Sequence, residues 1–221
     1  MTDYVIYLHG FASSPGSTKA NWLKEALQPY DVHYLIPDLN APDFSHLTLT
    51  GALVQAAEAI ESSAAGAVHL IGSSMGGMVA LHTIDRYPAA RERVSSLLCL
   101  APGFDLSARW DDLVPAEAMQ RWRATGWLPF FNHATQKEEP LHYKFYEDAE
   151  SHDSSQVQFD QPMLIIHGQH DETVPPQVST VFAQGRDNVT VKLVDSDHTL
   201  TDQLDFIRDE AIRFFALKLR N

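Results

Sequence analysis

Gly72-Ser73-Ser74-Met75-Gly76 is the stretch on which the reading of this chain turns. The apolar run Ala67-Val68-His69-Leu70-Ile71 leads into it, and a helical pattern leaves it, from position 75 to about 87. Strand, tight turn and helix in that order form the setting in which a G-x-S-x-G sequence presents a serine hydroxyl. The glycines have a steric reason. So sharp an elbow presses positions 72 and 76 against the adjacent strand and helix, where side chains would clash. Four small residues among five also suit an ordinary strand-to-helix turn, so the rest of the chain must decide.

Apolar runs and amphipathic patterns alternate on both sides of the elbow. Residues 4–8 read as a buried strand, followed by a loop over 10–16. Ser17 then caps a helix that puts Ala20, Leu23 and Leu27 on one face. Residues 32–36 form a second strand stopped by Pro37, and a helix over about 45–62 spaces Leu49, Leu53, Ala56 and Ile60 helically. Residues 94–100, 163–166 and 189–194 complete a set of six strands. A last helix over about 201–219 aligns Leu204, Ile207, Ala211 and Phe214. Near-continuous apolar strands between such helices predict an α/β protein with a mostly parallel sheet covered on both faces. Asp171 and His198 each fall a few residues past the end of a predicted strand, the edge where ligand-handling residues collect.

Four blocks now carry a resemblance. They are Leu8-His9-Gly10-Phe11 with Ser13-Ser14-Pro15, the elbow at 72–77, His167-Gly168-x-x-Asp171-x-x-Val174-Pro175, and Asp197-His198. In this order they resemble the α/β-hydrolases, and within them the small intracellular bacterial carboxylesterases. The resemblance implies a strand order of 2-1-3-4-5-6, with Ser74 as nucleophile, Asp171 as acid and His198 as base. It also implies an oxyanion hole made by the backbone amides of Phe11 and Met75. Residues 104–158 match no general motif, so substrate identity does not carry over.

The residues themselves support these roles. A serine hydroxyl attacks poorly unless an imidazole takes its proton and a carboxylate orients that imidazole. Among eleven histidines, His198 alone follows the last strand and precedes the last helix. His9 belongs to the loop after the first strand, where a structural job is expected, and His167 and His170 need no catalytic role. Asp171 leads as the acid, with Asp105 after the fourth strand as its rival. Asp197 adjoins His198, and neighbouring loop side chains rarely face each other. The spacing of His167, His170 and Asp171 matches no helical zinc pair, so neither metal nor cofactor is expected.

Composition is consistent with one globular domain over 1–221. The chain is 44% hydrophobic and 20% charged, and its formal charge of −13 disfavours nucleic acid and anionic membranes as partners. Cys99 is the only cysteine, which excludes internal disulfides. It sits in a strand-like run and reads as a small buried apolar residue. No stretch resembles a signal peptide or a membrane span, so a cytoplasmic protein is expected, as a monomer or homodimer acting on a small-molecule ester.

The segment 104–158 interrupts the alternation between the fourth and fifth strands. Nine aromatic residues fall within 104–146, so the segment is expected to fold into a small helical cap, with Pro115 starting a helix and Gly126 ending one. Trp122, Trp127, Phe130 and Phe131 are the candidates for an apolar substrate pocket. The expected function is cleavage of short- to medium-chain carboxylic esters through an acyl-enzyme. One triad also serves thioesters, lactones, amides or carbon–carbon bonds, and a slow-turnover small-molecule sensor on the same scaffold is the reading from outside enzymology.

Overall fold

In the computed structural model, residues 2–104 and 106–220 are described, without the side chains at 107, 111 and 112. A six-stranded, wholly parallel sheet forms the centre, with strand order β2-β1-β3-β4-β7-β8. Its strands are β1 (Asp3–Leu8), β2 (Val32–Leu35), β3 (Val68–Ser73), β4 (Val94–Leu100), β7 (Met163–Gly168) and β8 (Val189–Val194). This is the 2-1-3-4-5-6 order of the expectation, counted over the central strands.

Alternation along each strand divides the core into two layers. Ile6 and Leu8 of β1, Leu70 of β3 and Leu97 of β4 face one side with α2 (Leu49–Glu61), α3 (Met75–Arg86) and the short α4 (Pro88–Arg93). Val5 and Tyr7, Ile71 and Leu98 face the other, against α1 (Thr18–Ala26) and α9 (Leu204–Phe214). Both faces are covered, so β3 and β7 are buried at every position, and most of their residues are apolar. Cys99 lies in the first layer, and burial pushes its thiol up to about 12.

Helix starts follow side-chain chemistry. Ser17 accepts from the Ala20 N–H at the start of α1. Ahead of α2 a short 3-10 turn (Phe44–His46) intervenes, so the α-helix begins later than expected, with Thr48 accepting from Gly51 N–H. A 3-10 turn (Thr201–Gln203) likewise precedes α9, which ends at Phe214.

The segment between β4 and β7 corrects one expectation. It carries the short helices α5 (Trp110–Leu113), α6 (Ala116–Thr125) and α7 (Lys144–Ala149), but also an antiparallel hairpin, β5 (Trp127–Asn132) with β6 (Lys137–His142). Pro115 and Gly126 do bracket α6, and Gly126 adopts the left-handed conformation that stops it. Past that point the pattern has period two: Leu128, Phe130 and Asn132 turn inward, while Trp127, Pro129 and Phe131 turn out. A cap is therefore part helix, part hairpin. It is tied down at the hairpin turn and at α7. His133 N–H donates to the Ala12 carbonyl in the loop after β1 (2.9 Å), and Asp148 on α7 accepts from the Thr50 N–H and hydroxyl at the start of α2 (2.7 and 2.6 Å).

Candidate active site

Ser74 stands at the junction of β3 and α3 with φ 52° and ψ −117°, a conformation that costs a non-glycine residue of order 1–3 kcal/mol. Backbone bonds hold it there. Its N–H donates to Leu100 O (2.9 Å), and its carbonyl accepts from Gly77 N–H (2.9 Å) and Gly103 N–H (3.0 Å). A Cβ at Gly76 would lie 2.0 Å from Leu8 O, and one at Gly72 would lie 2.5 Å from Gly76 O. The two glycines let the elbow press onto β1 and onto its own helix.

The loop after β7 brings Asp171 to the same edge, and the loop after β8 brings His198. Asp171 Oδ2 accepts from His198 Nδ1–H at 2.7 Å, and His198 Nε2 stands 3.1 Å from Ser74 Oγ. These contacts span 27 and 124 residues of sequence. The Asp171 side chain is fully buried, whereas that of His198 remains partly open to solvent. Burial alone would raise the Asp171 pKa. Hydrogen bonds from His167, His198 and the Val174 N–H outweigh it and hold the carboxyl below the usual range, so it stays ionised.

His9, Gly10 and Phe11 form the loop that faces Ser74, with a Cβ at Gly10 falling 3.4 Å from Ser74 Cβ. His9 is buried, and burial lowers its pKa. Its Nδ1–H donates to Gly10 O (3.0 Å) while Nε2 accepts from Leu39 N–H (3.0 Å), which sets the neutral tautomer and fastens the loop to the segment after β2. The Phe11 ring packs against Phe44, Phe130 and Phe145 with centroids 5.3–5.6 Å apart, so the cap steadies this loop. Met75 is the first residue of α3, where a backbone N–H has no intrahelical partner and the helix dipole favours negative charge.

The four aromatic residues expected around a pocket occupy three environments. Phe130 is half-buried and meets Phe11 edge-on at 5.6 Å. Trp122 is fully buried, with its indole N–H donating to Leu141 O (2.8 Å), which makes it a core residue of the cap. Trp127 and Phe131, 38% and 43% exposed, lie on the outer face of the hairpin. A separate cleft of about 490 Å³ opens between Phe104, Val178 and Phe182, and neither Ser74 nor His198 lines it.

Asp105, the rival acid, lies outside the described residues. Asp197 turns to its own loop, accepting from the Thr199 N–H and hydroxyl, and His170 pairs with Asp195 at the surface (2.8 Å). Lys19 on α1 donates to Thr199 O beside His198 (2.6 Å), and burial lowers its pKa to about 8 against the pull of Asp197 and Asp171. One partner escaped the linear reading. His167, fully buried at the end of β7, contacts Asp171 at 3.0 Å. A histidine four residues before the acid on a strand-to-loop exit was the only available signal. Among the described residues no group of three or more His, Cys, Asp or Glu is arranged to hold a metal ion, and no helix is long and apolar enough to cross a membrane.

A parallel six-stranded sheet with a serine elbow after its third strand, and a His and an Asp on later loops, defines the α/β-hydrolase fold. Solved structures agree. A provisionally assigned hydrolase from Agrobacterium vitis S4 superposes with a TM-score of 0.80 at 22% identity, over 96% of this chain and 87% of the other. Alpha/beta hydrolase domain-containing protein 10 from mouse gives 0.79 at 21% identity over 96% and 89%. Est1E from Butyrivibrio proteoclasticus gives 0.72 at 18% over 97% and 87%. Residues 4–216 match the model of the uncharacterised protein family UPF0227, and the chain belongs to that family. No curated protein matches the sequence.

Proposed function

We propose that this chain is a serine hydrolase that cleaves short- to medium-chain carboxylic esters through an acyl-enzyme. The observation that carries the reading is the continuous chain of contacts from Ser74 Oγ through His198 to Asp171. His198 Nε2 takes the Ser74 proton as Oγ bonds to the ester carbonyl carbon. The carbonyl oxygen, now anionic, accepts hydrogen bonds from the N–H groups of Phe11 and Met75. Asp171 stabilises the imidazolium without taking its proton. Collapse of the intermediate breaks the ester C–O bond, and His198 passes the proton to the departing alcohol. Water repeats the sequence on the acyl-enzyme, releasing the acid and restoring Ser74. No step needs a metal or cofactor.

The test is turnover of p-nitrophenyl acetate and butyrate by the wild type and Ser74→Ala. The variant should lose on the order of 10⁴-fold or more in kcat while melting at the wild-type temperature. Activity retained above a tenth would move the nucleophile elsewhere. A stoichiometric burst from the wild type with no further product would favour the sensor.

A further inference from the structure

His167 does more than fill space beneath the site. Its Nε2 lies 3.0 Å from Asp171 Oδ2 and 2.9 Å from Val174 O, both pure acceptors, so this nitrogen carries the proton. Nδ1, 2.7 Å from Ser179 Oγ on α8 (Gln177–Ala183), is then the acceptor of the Ser179 hydroxyl in the neutral ring. Both side chains are completely buried. Oδ2 of Asp171 thus receives two imidazole N–H groups, from His167 on one side and His198 on the other. Oδ1 receives the Thr173 and Val174 N–H groups at 2.9 and 2.7 Å. The carboxylate has a donor on every side, and only one of them belongs to the expected triad.

We propose that Ser179 and His167 form a positioning pair for Asp171, extending the triad into a five-residue chain, Ser179–His167–Asp171–His198–Ser74. This rests on the function proposed above. Two consequences follow from the chemistry. His167 fixes the rotation of the carboxylate, so that Oδ2 meets His198 Nδ1–H. It also draws charge from Oδ2, which moderates how strongly Asp171 holds the imidazolium. Ser179 sets the His167 tautomer, since a ring with its proton on Nδ1 would face Asp171 with a lone pair. Other charges near the acid and base come from Lys19 on α1, Asp197 beside His198, and the His170–Asp195 pair; Arg109 donates to the carbonyl of Thr173. None of these charged groups is altered in the variants below.

The experiment compares His167→Leu, His167→Gln and Ser179→Ala with wild type on p-nitrophenyl butyrate between pH 5 and 9. His167→Leu removes the donor and should lower kcat roughly 10- to 100-fold with KM little changed, by analogy with the loss of the hydrogen-bond partner behind a metal-bound histidine. The acid limb of its kcat/KM profile should move to higher pH by about half a unit, because a less solvated carboxylate binds the imidazolium more strongly. His167→Gln offers an amide N–H where Nε2–H was and should recover most of both effects. Ser179→Ala should show the same limb shift in smaller measure, and it tests the pair even if the His167→Leu chain fails to fold. An equal loss at every pH with the limb unmoved, or no recovery in His167→Gln, would reduce the pair to packing. Either result leaves the Ser74→Ala outcome intact, so the hydrolase reading and this proposal fail separately.

Discussion

At the scale of single residues, Asp171 concentrates the electrostatics of the site. A fully buried carboxylate surrounded by donors stays charged where burial alone would neutralise it. Replacing it by Asn keeps the shape and offers an N–H₂ where His198 Nδ1–H needs an acceptor, so the ring turns to the unproductive tautomer. Asp171→Asn should therefore lower kcat roughly 10⁴-fold, read by stopped-assay hydrolysis of p-nitrophenyl butyrate. A loss under tenfold would put Asp105 in its place. Asp171, His198 and Ser74 were each legible from position, because each follows an apolar strand and strand ends are coded locally. Their partners were not. The distance from His167 to Asp171 depends on how β7 turns into its loop, and no spacing rule states which imidazole points inward.

At the scale of elements, the hairpin β5–β6 decides which aromatic rings face the body of the protein. Its two-residue alternation sends Phe130 toward Phe11 and turns Trp127 and Phe131 outward. Aromatic density in the sequence showed that the cap is sticky, yet could not assign faces before the helix was known to end at Gly126 and a strand to begin at Trp127. The proposed acyl pocket next to Phe11 thus keeps Phe130 and leaves Trp127 outside. Each methylene it buries adds up to about 0.8 kcal/mol, near fourfold in kcat/KM, until the space is filled. We expect rates on p-nitrophenyl esters to peak between about two and eight acyl carbons, given how few residues the cap holds. Phe130→Ala should move that peak to longer chains, whereas Trp127→Ala should leave the profile in place. A uniform loss in Phe130→Ala across all chain lengths would make this ring a packing residue only.

Across the whole molecule, buried imidazoles tie separate layers together and make stability depend on pH. His82 on α3 bonds Ser154 (3.1 Å) and lies edge-on to His152 (5.2 Å), joining the helix behind Ser74 to the end of the cap segment. His69 on β3 bonds Ser96 (2.8 Å) and stacks on Phe215. Burial lowers the pKa of His9, His69 and His152, and holds that of His82 to about 3, with help from His152 and Arg86. In the unfolded chain these rings gain protons near the ordinary histidine value of about 6.5. Below that value the unfolded state binds more protons than the folded one, so stability is complete above it and falls as pH drops toward 3. Each fully neutral ring contributes up to about 1.4 kcal/mol per pH unit across that window. The urea midpoint should decline steadily from pH 7 to pH 5, and His82→Leu should flatten the decline if it folds. A midpoint unchanged from pH 7 to 5 would mean that these rings are protonated in the folded protein.

The linear order of residues is enough to specify the six strands, the four longer helices that flank them, the serine elbow and the order of Ser74, Asp171 and His198. Each of these rests on neighbours in sequence: periodicity, capping side chains, and glycines where a Cβ cannot fit. Folding is needed for everything that depends on contact across layers. The hydrogen bond from His198 to Ser74 closes over 124 residues, the Phe11 ring is steadied by a hairpin more than a hundred positions later, and His167 finds Ser179 only because β7 packs beside α8. Short-range chemistry repeats along the chain and can be read from it. A contact across layers depends on the summed directions of every turn between its partners, which no local pattern records.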